Sequence, residues 1–396
     1  MFPKLRFKEF DGDLTESKLV ELTSWASGGT PAKDVPEYWG DGIPLISGAS
    51  MHTNQLYESD VKITKLGLQK GSKLALKDSI LILVRGSMLF NKIPMGITLG
   101  DVAFNQDVKC IRPKQQLAPL FLFQWLHAKE NTIQNKVTAT GIGAGKLDTA
   151  DLQNLKLYKP SLEEQTKIAT FLSAVDEKIS QLTQKHQLLR EYKQGMMQKL
   201  FSQQVRFKAD DKSEFGEWEE KELKDIAEIN PKSKKLPESF IYIDLESVEK
   251  GKLLLQKNIE LQDAPSRAQR LLAKGDVLFQ MVRPYQQNNY YFNLSGEYVA
   301  STGYAQIRTK LDSKFIYYAL HEKTFLDEVM NRCTGTSYPA INSSDLSSIE
   351  ILIPCLEEQT KIANFLSSID QKIEVVAQQI EQAKQWKKGL LQQMFI

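Results

Sequence analysis

Two stretches of this chain carry apolar residues at alternating steps of four and three. The first runs Ile168, Leu172, Val175, Ile179, Leu182, Leu189, Met196 and Leu200. The second runs Ile362, Leu366, Ile369, Ile373, Val376, Ile380, Ala383, Leu390 and Met394. A heptad seam held over about five heptads predicts a coiled coil. Each helix is expected to begin just after a proline, Pro160 or Pro354, and no proline interrupts it later. At 1.5 Å per residue, forty helical residues span ~60 Å. Two such helices in one chain most simply pair with each other. The residues from Ile168 to Leu182, and from Ile362 to Val376, are then the seam and the candidate surface for docking a partner. His186 and Lys193 are polar interruptions, and His186, opposite Ile380 in the alignment, reads either as a functional switch or, preferred, as a polar seam residue that helps fix register.

The remaining sequence has a different rhythm. Short β-type runs (Ile43–Ser47, Ile80–Arg85, Val108–Arg112, Leu155–Tyr158) alternate with turn residues, and one helix is expected over about 117–135. The second half has Phe240–Ile243, Val277–Arg283, Tyr304–Arg308 and Glu350–Ile353, with a helix near 312–331. Each half reads as a mixed α/β module followed by a long helix. The fold class is α+β: two homologous modules joined by two long antiparallel coiled-coil helices with pseudo-two-fold symmetry. The expected segments are module 1–160, helix 161–201, module 202–353 and helix 354–396.

The repeat is explicit. PSLEEQTKIATFLSAVDEKI at 160–179 and PCLEEQTKIANFLSSIDQKI at 354–373 share fifteen of twenty positions at an offset of 194. Tyr192-Lys193-Gln194-Gly195 matches Trp386-Lys387-Lys388-Gly389, and Leu200-Phe201 matches Met394-Phe395. Upstream, Asp78 to Arg85 parallels Asp276 to Arg283, Leu120 to Leu126 parallels Lys314 to Leu320, and Leu5-Arg6-Phe7 parallels Val205-Arg206-Phe207. With matched phase at both junctions, residue 396 is expected to lie against residue 1 as residue 201 lies against 206.

Composition narrows the classes. The 396 residues, 41% hydrophobic and 25% charged, are a globular composition with room for two or three domains. The start, MFPKLRFKEF, lacks the apolar core of a signal peptide. The longest aliphatic run, Ile80 to Val84, is too short to cross a bilayer. Cys110, Cys333 and Cys355 sit at unrelated spacings, as expected in a reducing, cytoplasmic compartment, and the four histidines form no metal-ligand cluster. A formal net charge of +2 leaves nucleic-acid binding undecided.

Catalytic constellations are not found. Gly141-Ile142-Gly143-Ala144-Gly145-Lys146 resembles a phosphate loop, but Thr140 stands where its first glycine belongs and Leu147 where a hydroxyl would bind Mg²⁺. Asn230-Pro231-Lys232 is a turn and not an amino-methyltransferase motif, and no dinucleotide or S-adenosylmethionine fingerprint follows a strand.

The pattern resembles type I restriction-modification specificity subunits over essentially the whole chain. The two Leu-Glu-Glu-Gln-Thr-Lys-Ile-Ala stretches at 162–169 and 356–363 carry the resemblance most specifically. Pro3-Lys4-Leu5-Arg6-Phe7, Gly216-Glu217-Trp218-Glu219, Tyr242 to Ser247 and Arg85-Gly86-Ser87 add to it; where Trp218 stands, the first half has Leu14 or Thr15. The resemblance implies a non-catalytic subunit in which each module reads one half of a split duplex-DNA target. It implies that the helices hold the modules apart and dock two methyltransferase subunits, with translocase/nuclease subunits joining the full complex. S-adenosylmethionine, ATP and Mg²⁺ are then expected in those partners, and none in this chain. Another reading of the same layout is a coiled-coil adaptor that binds protein or RNA.

Base readout needs donor-rich side chains on loops. The glycine loops Thr138–Lys146 and Thr334–Ser344 are the candidates, with Lys146 for phosphate and Thr336, Ser337, Tyr338 and Asn342 for bases. Arg85, next to Ser87, and Arg283 read as equivalent strand ends, each either aimed at a guanine or holding an ion pair. Gln286, Gln287, Asn288 and Asn289 form an amide cluster suited to adenine edges or to solvent. The runs Asp210–Lys212 and Lys232–Lys235 read as solvated linkers.

Overall fold

The structure, a computed structural model, describes residues 3–141, 143–232 and 235–396. Met1 and Phe2 of the opening, Ile142 of the first glycine loop, and Ser233 and Lys234 of the Lys232–Lys235 run lie outside the described residues. The heptad seams form the helices Leu162–Phe201 and Leu356–Met394. The chain divides into two compact units, 1–183 with 378–396, and 184–377. The first helix passes from the first unit into the second, and the second helix returns, so the two run in opposite senses. The unit boundaries therefore cut both helices mid-length, unlike the four segments read from sequence.

In the first unit, Thr23–Ser27, Val108–Pro113, Ile80–Leu83, Met95–Thr98 and Gln55–Leu56 form one sheet in that order. A second sheet orders Lys62–Ile63, Trp39–Ile46, Val102–Phe104 and Lys73–Ala75, with the middle two strands parallel. Ile80–Leu83 is buried on both faces, which explains its unbroken aliphatic run. The expected helix over 117–135 is two helices, Pro119–Ala128 and Glu130–Gln134.

The second unit repeats this plan with little sequence identity. One sheet orders Ala227–Ile229, Tyr304–Thr309, Val277–Gln280 and Tyr290–Tyr291. The other orders Lys257–Glu260, Ser239–Ile243, Tyr298–Ser301 and Ala268–Leu271, again with a parallel central pair. The helix expected near 312–331 is also broken, into Ser313–Ala319 and Lys323–Asn331.

The Glu-Glu-Gln of each repeat is a structural knot. Glu164, buried at the start of the first long helix, receives Arg6 Nε at 2.7 Å and Arg6 Nη2 at 2.8 Å, while the same guanidinium donates to the Gly12 carbonyl. Glu358 receives Arg206 Nε at 3.1 Å and Nη2 at 2.7 Å, and Arg206 donates to the Gly216 carbonyl. Gln165 accepts from the Ala118 backbone and donates to the Pro160 carbonyl; Gln359 does the same with Asp312 and Pro354. Phe7 packs edge-on against Phe171, and Phe207 packs against Phe365 with the same close edge contact. The matching openings are thus the pieces that close on each helix start. Because Gly12 and Gly216 play the same part, Leu14 is the counterpart of Trp218, whose indole N–H adds a further bond to Glu358.

The seam residues lie inside their own units. Ile168, Leu172, Val175, Leu182, Ile362, Leu366, Ile369 and Val376 are buried, and Ile179 and Ile373 are partly buried against the same cores. A side chain enclosed there presents nothing to another subunit, so the seam is core and not itself the docking surface. The exposed apolar positions of the helices are others: Leu162, Leu188, Tyr192, Leu356, Val375 and Trp386.

Candidate nucleic-acid interface

In the first unit the strand Arg85–Gly86 pairs with Gly145–Lys146, which pairs in turn with Thr138–Ala139. Arg85 and Lys146 stand directly opposite each other, and both are exposed. Like charges at opposed cross-strand positions repel, so this edge is organised for an anion outside the protein. The groove beside it holds about 170 Å³; its charged and amide lining is Arg85, Lys146, Lys109, Gln106 and Asp148, the last engaged as a helix cap. Gln106 is also on the wall of a neighbouring cavity of about 550 Å³, with Lys33, Thr30 and Trp39. Thr30 Oγ1 donates to Gln106 Oε1 at 2.7 Å, which fixes the amide, and Lys109 donates to Ser27. Gln106 escaped the sequence reading because only a short polar turn between two buried strands marks it, and Lys109 because it is a lone lysine within a largely apolar strand.

The glycine loop is closed by Thr140 Oγ1 donating to the Ala144 carbonyl and by the Gly143 N–H donating to the Thr140 carbonyl. It feeds a strand and not a helix, and the next helix, Thr149–Gln153, is capped by the Asp148 carboxylate. A phosphate cradle needs bare helix N–H groups, so the departure from a phosphate-loop motif is structural as well. Ser87 is exposed at the start of a short turn of 3₁₀ helix, Ser87–Phe90.

In the second unit the equivalent edge is offset from the sequence alignment by one residue. Val84 N–H donates to the Asp107 carbonyl and Leu147 N–H to that of Val84; Met281 donates to Gly303 and Ile341 to Met281. Val84 therefore matches Met281, and Arg283 matches Gly86, not Arg85. Both positions have positive φ, +148° at Gly86 and 55° at Arg283. The expected equivalence of Arg85 and Arg283 is corrected: the second strand ends at Gln280, and Arg283 caps the turn Pro284–Gln286.

Arg283 lies against the second glycine loop. Its N–H donates to the Pro339 carbonyl at 2.7 Å, and its guanidinium carbon sits 4.3 Å from the Tyr338 ring centre. Thr334 and Ala340 exchange backbone bonds of 2.9 and 3.0 Å, so Gly335, Thr336, Ser337, Tyr338 and Pro339 form a pinched tip. Thr336, Ser337 and Tyr338 are exposed, Tyr338 to 63%. Asn342 is different: its side chain caps the helix Ser343–Ser347 and contacts Asp345, which makes it structural.

The amide cluster is largely turned inward. Asn288 Oδ1 accepts from the Lys250 N–H, Asn289 Oδ1 from the Gln280 N–H, and Gln286 Oε1 from Gln280 Nε2. Gln287, also at positive φ, reaches the His321 carbonyl. Gln286 alone of the four is exposed. These amides shape a loop: Gln287, Asn288 and Asn289 are turned to neither adenine edges nor solvent, and Gln286 remains exposed.

Among the described residues no group of three or more His, Cys, Asp or Glu is placed to hold a metal, and no helix is long and apolar enough to cross a membrane.

The family model for the type I restriction modification DNA specificity domain matches residues 12–190 and 216–385. The chain belongs to this family. The two matched stretches each contain one of these basic edges and most of the long helix that follows it. Among relatives of this specificity family, the MjaVIII specificity subunit of Methanocaldococcus jannaschii is 27% identical over 409 residues, covering 97% of this chain and 94% of its own. The EcoR124I/EcoR124II specificity subunit of Escherichia coli is 29% identical over 182 residues, 46% of this chain and 45% of its own. The specificity-subunit fold is shared with the S subunit from M. genitalium, at TM-score 0.62 and 17% identity over 100% of this chain and 99% of that one. A second type I structure, from work on complex assembly and conformational transition, matches at TM-score 0.57 and 17% identity, covering 96% and 97%.

Proposed function

We propose that this chain is the non-catalytic DNA-reading subunit of a type I restriction-modification complex, with each module reading one half of a split target. The carrying observation is the repeated edge: a strand extension after the most buried strand, bonded to the loop before the next helix, bearing the exposed Arg85 and Lys146 in the first unit and the half-buried Arg283 in the second. Because the two edges differ in side chains, the half-sites need not be palindromic. Duplex DNA offers phosphates to the Arg85, Lys109 and Lys146 cluster and base edges to Gln106.

The helices set the spacing of the half-sites and dock two methyltransferase subunits. Their exposed apolar positions support this, since Leu162 and Leu356 are repeat partners, as are Tyr192 and Trp386, each at least half exposed. Each unit thus offers one leucine and one aromatic at equivalent places, suited to two copies of one partner. Translocase/nuclease subunits complete the complex, and S-adenosylmethionine, ATP and Mg²⁺ act in those partners.

The test exchanges residues 206–353 for the matching module of a relative and maps methylated sites in a random library. One half of the site should change and the other persist. Simultaneous change of both halves would overturn the division of labour.

A further inference from the structure

We propose that Arg283, pinned over the Tyr338 ring, reads a guanine in the major groove of the half-site bound by the second unit. This rests on the DNA-reading assignment above. The first observation is the backbone. A bulky residue at φ 55° and ψ 53° sits in the left-handed region that residues with a Cβ enter uncommonly, while its counterpart Gly86 takes a different, glycine-only conformation at φ 148° and ψ 158°. Nothing in the local fold needs an arginine there, because glycine would hold the same turn without strain.

The second observation is the partner of its charge. Arg283, like Arg85, Arg112, Arg190, Arg267 and Arg270 among the described residues, has no carboxylate within ion-pair distance, and its guanidinium faces an exposed aromatic ring instead. Stacking occupies one face of a guanidinium and leaves its in-plane N–H donors at the edge. Such a fork, fixed in direction, matches the O6 and N7 acceptors of guanine.

The surroundings separate a base from a phosphate. In the first unit Arg85, Lys109 and Lys146 converge on one groove, as suits a phosphate. Around Arg283 the exposed neighbours are Tyr285, Gln286, Thr336, Ser337 and Tyr338, which are uncharged donors, acceptors and rings. That set suits base edges.

The experiment maps methylation by the assembled complex on a library carrying both half-sites with every position varied. The variants are Arg283→Gly, Arg283→Lys and Tyr338→Leu. Arg283→Gly suits the positive φ, so it folds at least as well as the parent, which thermal unfolding checks. Discrimination at one G·C pair of the second half-site should fall roughly 10- to 100-fold, with the first half-site and the salt dependence unchanged. Arg283→Lys should not rescue it, because a point charge lacks the fork, and Tyr338→Leu should weaken it partially. Uniform loss over all sequences with a salt slope reduced by about one would identify a phosphate contact and overturn the proposal. Unchanged preference would overturn it as well. A parent complex without preference in either half would overturn the specificity assignment itself and this inference with it.

Discussion

Lys387 Nζ lies 2.5 Å from Asp176 Oδ1, joining the returning helix to the first helix inside the first unit. The repeat partners Lys193 and Asp370 make the same pair at 2.6 Å inside the second unit. Each aspartate has a second partner on the module's own helix: Gln124 Nε2 donates to Asp176 at 2.8 Å, and the Tyr318 hydroxyl to Asp370 at 2.7 Å. Lys193, which the heptad pattern marks as an interruption, is therefore half of a bond that sets helix register and seats the module.

Replacing Lys387 by Met should cost more than a surface pair does. The lysine side chain is largely enclosed, at 12% exposure, and its loss leaves a partly buried carboxylate held by Gln124 alone. We expect a loss of about 1–3 kcal/mol by urea unfolding, partly recovered when Asp176→Asn is added. A double variant that cost the sum of Lys387→Met and Asp176→Asn measured singly would show that the two groups are not coupled.

His321 gives the second unit a pH dependence. Its Nδ1 is 2.7 Å from the Tyr317 carbonyl, which makes Nδ1 the donor, and its Nε2 faces Asn289 Nδ2 at 3.4 Å and accepts from it. Burial pushes its pKa down from 6.5 to about 4, and Lys193 pushes the same way against the weaker opposite pull of Asp370. The unfolded chain then takes up a proton near pH 6.5 that the folded chain refuses. Stability contributed by the neutral ring is complete above pH 6.5 and is lost as pH falls toward 4, by at most about 3 kcal/mol. Urea midpoints of the parent and His321→Gln, taken at pH 7.5 and pH 5, should converge at the lower pH. Parallel curves would contradict the assignment.

The basic groove of the first unit should act through phosphate. Lys109→Ala and Lys146→Ala are each expected to weaken DNA binding by the assembled complex evenly across sequences. Each should lower the slope of log affinity against log salt by about one. Loss confined to one base position would assign those lysines to bases instead.

The long helices were legible because a heptad repeat is a local signal read twice. The Glu164 and Glu358 knots were visible as sequence but not as contacts, since Arg6 and Arg206 reach them across a whole module. The alignment of Asp78 to Arg85 with Asp276 to Arg283 failed by one residue. Strands buried on both faces are apolar nearly throughout, so no alternation sets their phase, and a one-residue slip turns every side chain to the other face. The hydrogen bonds of Val84 and Met281 fix that phase. The breaks after 128 and 319 have no proline or glycine to announce them, and the second is marked only by Glu322, whose carboxylate caps the helix that follows.

The ends of the chain should tolerate joining. Leu5 N–H donates to the Gln393 carbonyl at 2.9 Å in the first unit, and Val205 N–H donates to the Lys199 carbonyl at 3.1 Å in the second. Phe395 packs on Phe121 at 5.4 Å as Phe201 packs on Phe315 at 5.5 Å. The two junctions are thus built alike, although the chain is continuous through one and not the other. Joining residue 396 to residue 1 by a short linker and reopening the chain within 202–206 moves the break from one equivalent place to the other. Ends brought close together accept such a change because few contacts are cut. The permuted chain should fold, assemble with its methyltransferase subunits and methylate the parent's site. A folded permutant that failed to assemble would mean that chain continuity at 202–206 does something the open junction cannot.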